Sequence, residues 1–446
     1  MSTLFSPKSA VVVVTILLLA TALASVAIWG RNIGMAEDWL MVPAMTGNQD
    51  NLLAWLWSQN NEHRLPVQRL IYLGLLRATA DFRSGMVLSQ LLLVFLVFAL
   101  VRAATGALGG RIGWSAVLFP LALLHLGHWE NLIWGWQFQF VWSVLLTGLL
   151  LAIVVAQSAP IGLQAGLASA LLLLLLPISG ANGIVTAVAM TPWLAAQGVV
   201  RLVAEADEND RRMGIALIAA AMLSLVVTGL YFVGYVSPEW SPPLASPMQF
   251  LSAAETYFAY ALGPGTRAAL LPAAVVVILF TGVGCAMAVW AFYTAGPKER
   301  LRAGGLALFI GSGVALGLAI SLARGGYPYR MPDRYALMAV LPLLGAAFAW
   351  ALYAPPRIGQ MAVAGLAMLF LLMLPLNVRA GFEWRNWYVD GMLKVEADIS
   401  AGVPISELAA RHYSFLVHWS EELLRKSIEQ LHASGIGPFA AAATNP

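Results

Sequence analysis

The chain has 446 residues, of which 60% are hydrophobic and only 11% are charged, and its mean hydropathy is +0.77. An ordinary soluble domain carries about 25% charged residues, so the composition excludes that class. The net charge of +3 is small, and membrane proteins are commonly basic in their cytoplasmic loops, so we predict no nucleic-acid partner. The single cysteine, Cys285, excludes an internal disulfide.

Long apolar runs predict an all-α fold, a polytopic transmembrane helical bundle. A helix needs about 20 mostly apolar residues to cross the hydrocarbon layer, and the run at 10–29 reaches that length. No small-residue cleavage site follows it, so we predict a retained first span instead of a signal peptide. Two further pieces, 66–80 and 248–262, suit re-entrant or interfacial helices. About eleven spans are predicted, at 10–29, 86–103, 112–127, 132–156, 161–177, 183–200, 213–236, 269–294, 303–322, 335–353 and 358–376.

The distribution of cations predicts the orientation. The short loops at 102–111, 201–212 and 298–302 are basic, which is typical of cytoplasmic loops. The segments 31–85 and 377–446 also carry cations, but long segments translocate largely regardless of charge. We therefore predict a protein of the bacterial inner membrane with a cytoplasmic N-terminus and a periplasmic C-terminus.

Two domains are predicted. Residues 1–376 form a transmembrane core, and residues 377–446 form a short helical periplasmic tail. The stretch Ser406–Ser434 has helical spacing with an apolar side, and Gly435 follows it as a stop signal. We expect this tail to pack over the outer end of the core and its last, alanine-rich residues to be disordered.

With this orientation, the unusual polar residues gather in four outer segments, 31–85, 125–131, 179–182 and 324–334, and the first of these contains Glu37 and Asp38. Two adjacent carboxylates can accept a proton from a hydroxyl or hold a cation. The alternative is a solvated pair at the membrane edge, with Trp39 as an interfacial anchor.

The same segment continues with Glu62, His63 and Arg64, and Arg69 follows. Arginine can hold a phosphate through two parallel hydrogen bonds, and His63 could donate to it or shuttle protons. The alternative is an exposed loop that caps the helix beginning near Pro66.

The second segment contains His125, His128, Glu130 and Asn131, with Gln137 close behind. Two histidines three residues apart share a helix face, so a divalent metal is an open alternative, but only two ligands are evident. Buried polar groups in membranes usually face a cavity, and that is the favoured interpretation. No metal ligand set and no certain cofactor is predicted.

The third and fourth segments are short loops. The first contains Asn182 among small residues and is best interpreted as a tight interhelical turn with a helix cap. The second contains Arg324, Arg330 and Arg334 together with Tyr327, Tyr329 and Tyr335. A cluster of guanidinium groups suits a phosphate or pyrophosphate, although Arg334 could instead pair with Asp333 or extend toward the interface.

This layout resembles the GT-C superfamily of integral-membrane glycosyltransferases, which take sugars from polyprenyl-phosphate carriers. The resemblance covers the membrane core and depends on the acidic pair that opens a long first outer loop, on Glu62-His63-Arg64, and on the late arginine-rich loop. The chain departs from the family in its adjacent Glu-Asp, where Asp-x-Asp or Glu-x-Asp is common. Its short tail also lacks a large acceptor-binding domain.

The resemblance implies roles for several of these residues. Asp38 would be the general base, with Glu37 in reserve. Arg64, Arg330 and Arg334 would bind the carrier phosphate, and His63 or His128 would orient the acceptor. The implied partners are a polyprenyl-phosphate-linked sugar, a glycan or lipid acceptor, and membrane lipids.

Three alternatives to a single-sugar transferase remain open. A transporter or flippase would need polar groups near the bilayer midplane, often on paired broken helices. A ligase or polymerase of lipid-linked glycans would share the arginine-rich loop but transfer a chain. A non-enzymatic assembly factor would tolerate replacement of Asp38. The sequence contains no Walker motif or dinucleotide glycine pattern, so no nucleotide-driven pump is indicated.

Overall fold

The computed structural model describes residues 6–110, 113–156, 160–203, 207–238, 242–328 and 330–443. Within these ranges the chain is a helical bundle, which confirms the all-α prediction. The strands in the described ranges are Gln59–Asn60 and His63–Arg64, which pair as a small antiparallel hairpin.

Nine helices of the described chain are long and apolar enough to cross a membrane, so the protein is a multi-pass membrane protein. Many of their apolar side chains are exposed and face lipid. The central helices are α3 and α8, whose most apolar windows are 83% buried, against 28% for α1. The nine are α1 (Pro7–Trp29), α2 (Arg83–Ala107), α3 (Phe138–Ala156), α4 (Ala181–Val203), α5 (Glu208–Tyr231), α6 (Leu270–Thr294), α7 (Pro297–Arg324), α8 (Ala336–Tyr353) and α9 (Pro356–Ser400).

Two of the eleven predicted spans are not long helices. The predicted span at 112–127 is broken into Trp114–Val117, Leu118–Leu123 and Leu126–His128, and the one at 161–177 contains only the 13-residue helix Leu163–Leu175. Thirteen residues rise about 20 Å, less than the roughly 30 Å of hydrocarbon.

Contacts show that these two segments nevertheless return the chain through the bundle. Gly85 lies against Gly135 and Leu96 against Gly148, so α2 and α3 run parallel. The starts of α3 and α4 line the same small cavity. Further along both helices, Gly305 of α7 touches Val154 of α3 and Trp193 of α4, so α3 and α4 are also parallel. Parallel helices need a return connection between them, so the described chain traverses the bundle eleven times, nine times as long helices.

The broken segment is tolerated because protein surrounds it. Irregular backbone at membrane depth must find partners within the protein, and residues 118–133 are buried. Nδ1 of His125 accepts the backbone N–H of Gly127 at 3.1 Å, and Nε2 of His128 donates to the carbonyl of Ala122 at 2.9 Å. The two histidines therefore satisfy the backbone at the break.

The predicted domain boundary at residue 376 is not a structural break. Helix α9 continues to Ser400, and Asn377 is buried. Its side-chain amide donates to the carbonyl of Leu262 at 3.0 Å and accepts from the N–H of Gly265 at 2.8 Å. The tail is thus a continuation of the last span.

The predicted tail helix is two helices, Ile405–Leu416 and Glu421–Ala433, the second of which Gly435 follows with φ +65°. The expectation of disorder is wrong for 437–443: Gly437–Ala441 is a 3₁₀ helix, and Phe439 packs on Trp39 at 5.6 Å between ring centroids.

The remaining helices are short. The α-helices are Val42–Met45, Leu52–Trp57, Pro66–Thr79, Trp129–Leu132 and Pro247–Ala259. The 3₁₀ helices are Ala36–Met41, Gly135–Gln137, Pro177–Ser179, Tyr260–Leu262, Pro264–Ala268 and Asp333–Tyr335. The pieces at 66–80 and 248–262 are accordingly helices too short to cross a bilayer.

The topology predicts a labelling pattern for cysteines in a Cys285→Ser background. A membrane-impermeant maleimide added from the periplasm should label Asn48→Cys and Lys426→Cys. It should label Glu208→Cys and Lys298→Cys only after lysis, because these exposed positions lie at opposite ends of the bundle. The inverse pattern would contradict the orientation, and labelling of all four from one side would contradict the eleven traverses.

Candidate functional site

The four polar outer segments meet at one end of the bundle, as predicted. Nδ1 of His63 accepts the N–H of Ala181 at 3.3 Å, and the N–H of Arg64 donates to the hydroxyl of Tyr231 at 3.2 Å. Glu62 pairs with Arg324 at 3.2 Å, and Glu130 pairs with Arg334. These contacts join residues that are up to 262 positions apart in the chain.

A cavity of about 240 Å³ opens at this end. Three of the predicted site residues line it: Glu37, Glu130 and Arg334. The rest of its wall is mainly aromatic, with five tryptophans, Trp129, Trp134, Trp384, Trp387 and Trp419. A concave, largely apolar site with a few convergent polar groups is the usual form of a small-molecule site.

Glu37 lines this cavity, and one of its carboxylate oxygens is buried without a hydrogen-bond partner among the described atoms. The 3₁₀ helix Ala36–Met41 begins with Ala36 at φ +45°, a conformation that L-residues rarely adopt and that is enriched at functional sites. Among the described atoms, Oε2 of Glu37 is buried without a hydrogen-bond partner, and Oε1 lies 3.5 Å from the amide nitrogen of Asn61. Burial raises the pKa of Glu37, and the nearby Arg334 partly offsets this rise. Such a carboxylate is suited to accept a proton.

Asp38, the predicted base, does not line the cavity. Its side chain is buried, with one oxygen accepting the N–H of Met35 at 3.0 Å and the other accepting the hydroxyl of Tyr72 at 2.8 Å. Burial raises its pKa to about 7. Both oxygens are committed to hydrogen bonds that hold the first outer segment to the helix Pro66–Thr79. The structure therefore assigns Asp38 a structural position and leaves Glu37, the reserve, at the cavity.

Arg334 is held at the cavity wall by Glu130. One oxygen of Glu130 accepts the backbone N–H of Arg334 at 3.0 Å, and the other accepts from its guanidinium. The guanidinium also lies over the rings of Tyr335 and Phe140, at 5.7 and 6.0 Å. Asn131 donates to the carbonyl of Arg334 at 3.0 Å. The guanidinium of Arg334 is thus fixed in place, with part of its surface facing the cavity.

Arg64 and Arg69 are not available to a phosphate, contrary to the prediction. The guanidinium of Arg64 donates to the carbonyls of Trp57, Tyr231 and Val233 at 2.9 to 3.0 Å. Arg69 donates to carbonyls in the segment Trp55–Ser58. Arg64 therefore binds the backbone of its own loop and of the end of α5, and Arg69 binds the backbone of its own loop.

His63 and His128 are also outside the cavity. Burial lowers the pKa of His63 to about 4, so it is neutral at physiological pH and does not shuttle protons there. His128 stacks on His125 at 4.0 Å between ring centroids and bonds the broken helix. In the described part of the chain, no group of three or more His, Cys, Asp or Glu side chains could hold a metal ion. Gln137 is buried close by and does not reach the cavity.

The remaining predicted residues lie in two other cavities. Arg324 and Arg330 line an outer cavity of about 320 Å³ with Tyr327, and Arg324 also donates to the hydroxyl of Tyr335 at 2.9 Å. Asn182 lines a small cavity between α3, α4 and α7. Tyr329 lies outside the described residues.

Sequence reasoning missed the contribution of the tail to the cavity wall. Trp384, Trp387 and Tyr388 come from the extension of α9, and His418 and Trp419 come from the loop between the two tail helices. The spacing Trp384-x-x-Trp387 places both indoles on one helix face and was the available signal. The expectation that the tail packs over the outer end of the core is confirmed by these residues.

Known proteins give no independent assignment. No protein-family model matches the chain, and no curated protein matches it significantly. A functional proposal therefore depends on the geometry of the site.

The buried carboxyl of Asp38 predicts a pH-dependent stability. Its pKa is about 7 in the folded protein against 3.8 ordinarily, so the folded state binds the extra proton between these values. The stabilisation of the folded state by this proton is complete below about pH 4 and is lost as the pH rises through 7. Between pH 5 and pH 7, the free energy of unfolding of the wild type should fall by about 2 kcal/mol more than that of Asp38→Asn. The measurement is unfolding in detergent, followed by tryptophan fluorescence.

The matched control for this measurement is Asp50→Asn, an exposed carboxylate in the same segment. It should follow the wild type across the pH range. Equal pH slopes for Asp38→Asn and the wild type would contradict the assignment.

Proposed function

We propose that this chain is a membrane glycosyltransferase of the bacterial inner membrane. It would move a sugar from a polyprenyl-phosphate carrier to an acceptor on the periplasmic side, with Glu37 as the general base. The observation that supports this most directly is that Glu37, whose carboxyl group has one oxygen without a partner, lines an aromatic cavity together with Arg334. The sequence pattern that resembles the GT-C superfamily agrees with this reaction class.

The chemistry needs few groups. Glu37 removes the proton from an acceptor hydroxyl, and the hydroxyl oxygen forms a bond to the anomeric carbon of the donor sugar. The bond between that carbon and the carrier phosphate breaks, and its electron pair leaves with the phosphate. Arg334, held by Glu130, stabilises the negative charge that develops on the leaving oxygen.

Two features favour a transferase over a transporter. The cavity lies at one end of the bundle, whereas a transport site lies near the midplane and becomes accessible from both faces. Arg324 and Arg330 also line a neighbouring cavity at the same end, beside exposed apolar residues of α6 and α7. An amphipathic lipid carrier needs such an arrangement, with its phosphate at the arginines and its chain along the helices.

The test is a comparison of glycolipids and surface glycans by mass spectrometry in a deletion strain. We expect one sugar decoration to disappear on deletion and to return with the wild-type chain. Glu37→Gln should reduce the restored product about 100-fold or more, because removing a general base typically costs 10²–10⁴ in rate. The variant should reach the membrane at the wild-type level.

The matched control is Glu383→Gln, which changes an exposed carboxylate at the same end that does not line the cavity. It should restore the decoration fully, and so should Asp38→Asn if that variant folds. Full restoration by Glu37→Gln would exclude Glu37 as the base. A deletion strain with an unchanged glycan profile would contradict the proposed function itself.

A further inference from the structure

The mouth of the cavity is built from aromatic side chains of the tail. Trp387 on α9 is 43% exposed, and Trp419 in the loop after Ile405–Leu416 is 51% exposed. Deeper in the cavity Trp129 is almost fully buried. The partly exposed indoles of Trp387 and Trp419 therefore form the entrance of a cavity that Glu37 and Glu130 also line.

This entrance is rigidly supported. The ring of Trp387 lies edge-on to Trp384 at 5.2 Å and contacts Phe415 at 5.1 Å. A Cβ atom at Gly391 would lie 2.1 Å from the ring of Phe415, so only glycine there lets the first tail helix pack this closely on α9. The indole of Trp387 is thus fixed between two other rings.

The loop that carries Trp419 is held in an unusual conformation. His418, at the cavity, has φ +76°, and its N–H donates to the carbonyl of Tyr413 at 2.7 Å. Residues other than glycine rarely adopt this conformation, and those that do are concentrated at functional and ligand-binding sites. The strain is consistent with a loop whose shape serves a ligand.

Membrane anchoring, the usual role of exposed tryptophan, does not fit Trp387. The exposed Arg379 is the first charged residue after the apolar part of α9, and Trp387 is eight residues further along the helix. At 1.5 Å per residue, Trp387 lies about 12 Å further along the helix axis than Arg379. The headgroup layer is only roughly 5–8 Å thick on each side, so with Arg379 at the edge of the hydrocarbon the indole would lie beyond the headgroups.

We propose that the acceptor is a saccharide, and that Trp387 and Trp419 bind its sugar rings at the mouth of the cavity. This inference rests on the proposed function and deepens it by naming the acceptor class. One face of a pyranose carries C–H groups, which match the negative π face of an indole. The hydroxyl groups at the ring edge match the carboxyl group of Glu37.

The size and charge of the cavity agree with this ligand. Its volume of about 240 Å³ is slightly below the roughly 300–1,000 Å³ of drug-sized sites, which suits one sugar ring inside and others at the mouth. Arg334 is paired with Glu130, so the wall offers hydrogen bonds to a neutral polyol without a strong net charge.

Binding is tested on the full chain in lipid nanodiscs by saturation-transfer NMR. The probes are the methyl glycosides of glucose, galactose, mannose and N-acetylglucosamine. We expect transfer to the ring protons of at least one probe and a loss of fivefold or more in both Trp387→Ala and Trp419→Ala. Trp290→Ala is the matched control, since Trp290 is 71% exposed at the opposite end of the bundle, and it should bind as the wild type does.

A second readout separates sugar binding from lipid anchoring. In nanodiscs made with brominated phosphatidylcholine, the bromine-quenched part of the fluorescence should decrease in Trp290→Phe and stay at the wild-type level in Trp387→Phe and Trp419→Phe. A decrease in all three variants, or an absence of transfer to every probe, would overturn the inference. So would wild-type transfer in both tail variants.

The result of the sugar-binding experiment does not depend on the general base, Glu37. Glu37→Gln should still bind the probe, because one amide replaces one hydrogen-bond acceptor. Sugar binding with an unchanged glycan profile in the deletion strain would contradict the transferase alone. Loss of the decoration in Glu37→Gln, with wild-type probe binding in Trp387→Ala and Trp419→Ala, would contradict the saccharide site alone.

Discussion

The buried pair between Glu130 and Arg334 is the interaction on which the arrangement of the outer end depends. It joins the segment after the broken helix to the start of α8, and Glu130 also binds the backbone N–H of Arg334. Removing one partner of a buried pair typically costs 3–5 kcal/mol, because the other charge is left uncompensated. The pair thus holds a positive group at the cavity and connects two segments that are about 200 residues apart.

Adjacent carboxylates have different environments at this end. Asp38 is hydrogen-bonded to Met35 and Tyr72 inside the protein, whereas Glu37 lines the cavity and has one carboxylate oxygen without a partner. Successive residues of a 3₁₀ helix point about 120° apart, so one turn supplies both a structural anchor and a group suited to chemistry. Environment, rather than residue type, separates two such groups.

The two irregular connections explain how a bundle made mostly of straight helices can gather its polar segments at one end. Because α2, α3 and α4 run parallel, each intervening segment must return across the bundle. The broken segment before α3 returns through protein, where its backbone must be satisfied. The histidines at 125 and 128 serve that need. The extension of α9 then supplies aromatic side chains that complete the wall of the cavity.

The sequence by itself determined the class of fold, the positions of the long helices and the grouping of polar segments, because hydrophobic length and alternation with charged loops are local properties of the chain. It could not decide between Glu37 and Asp38, nor separate Arg334 from Arg64, since each pair is alike in composition and differs only in what surrounds it. The sequence also predicted a domain boundary at residue 376, because Asn377 looks like a polar residue outside the membrane. In the structure Asn377 is buried. Only tertiary structure decided which side chains are used by the fold and which reach the cavity, because that depends on contacts between residues that are far apart in the chain.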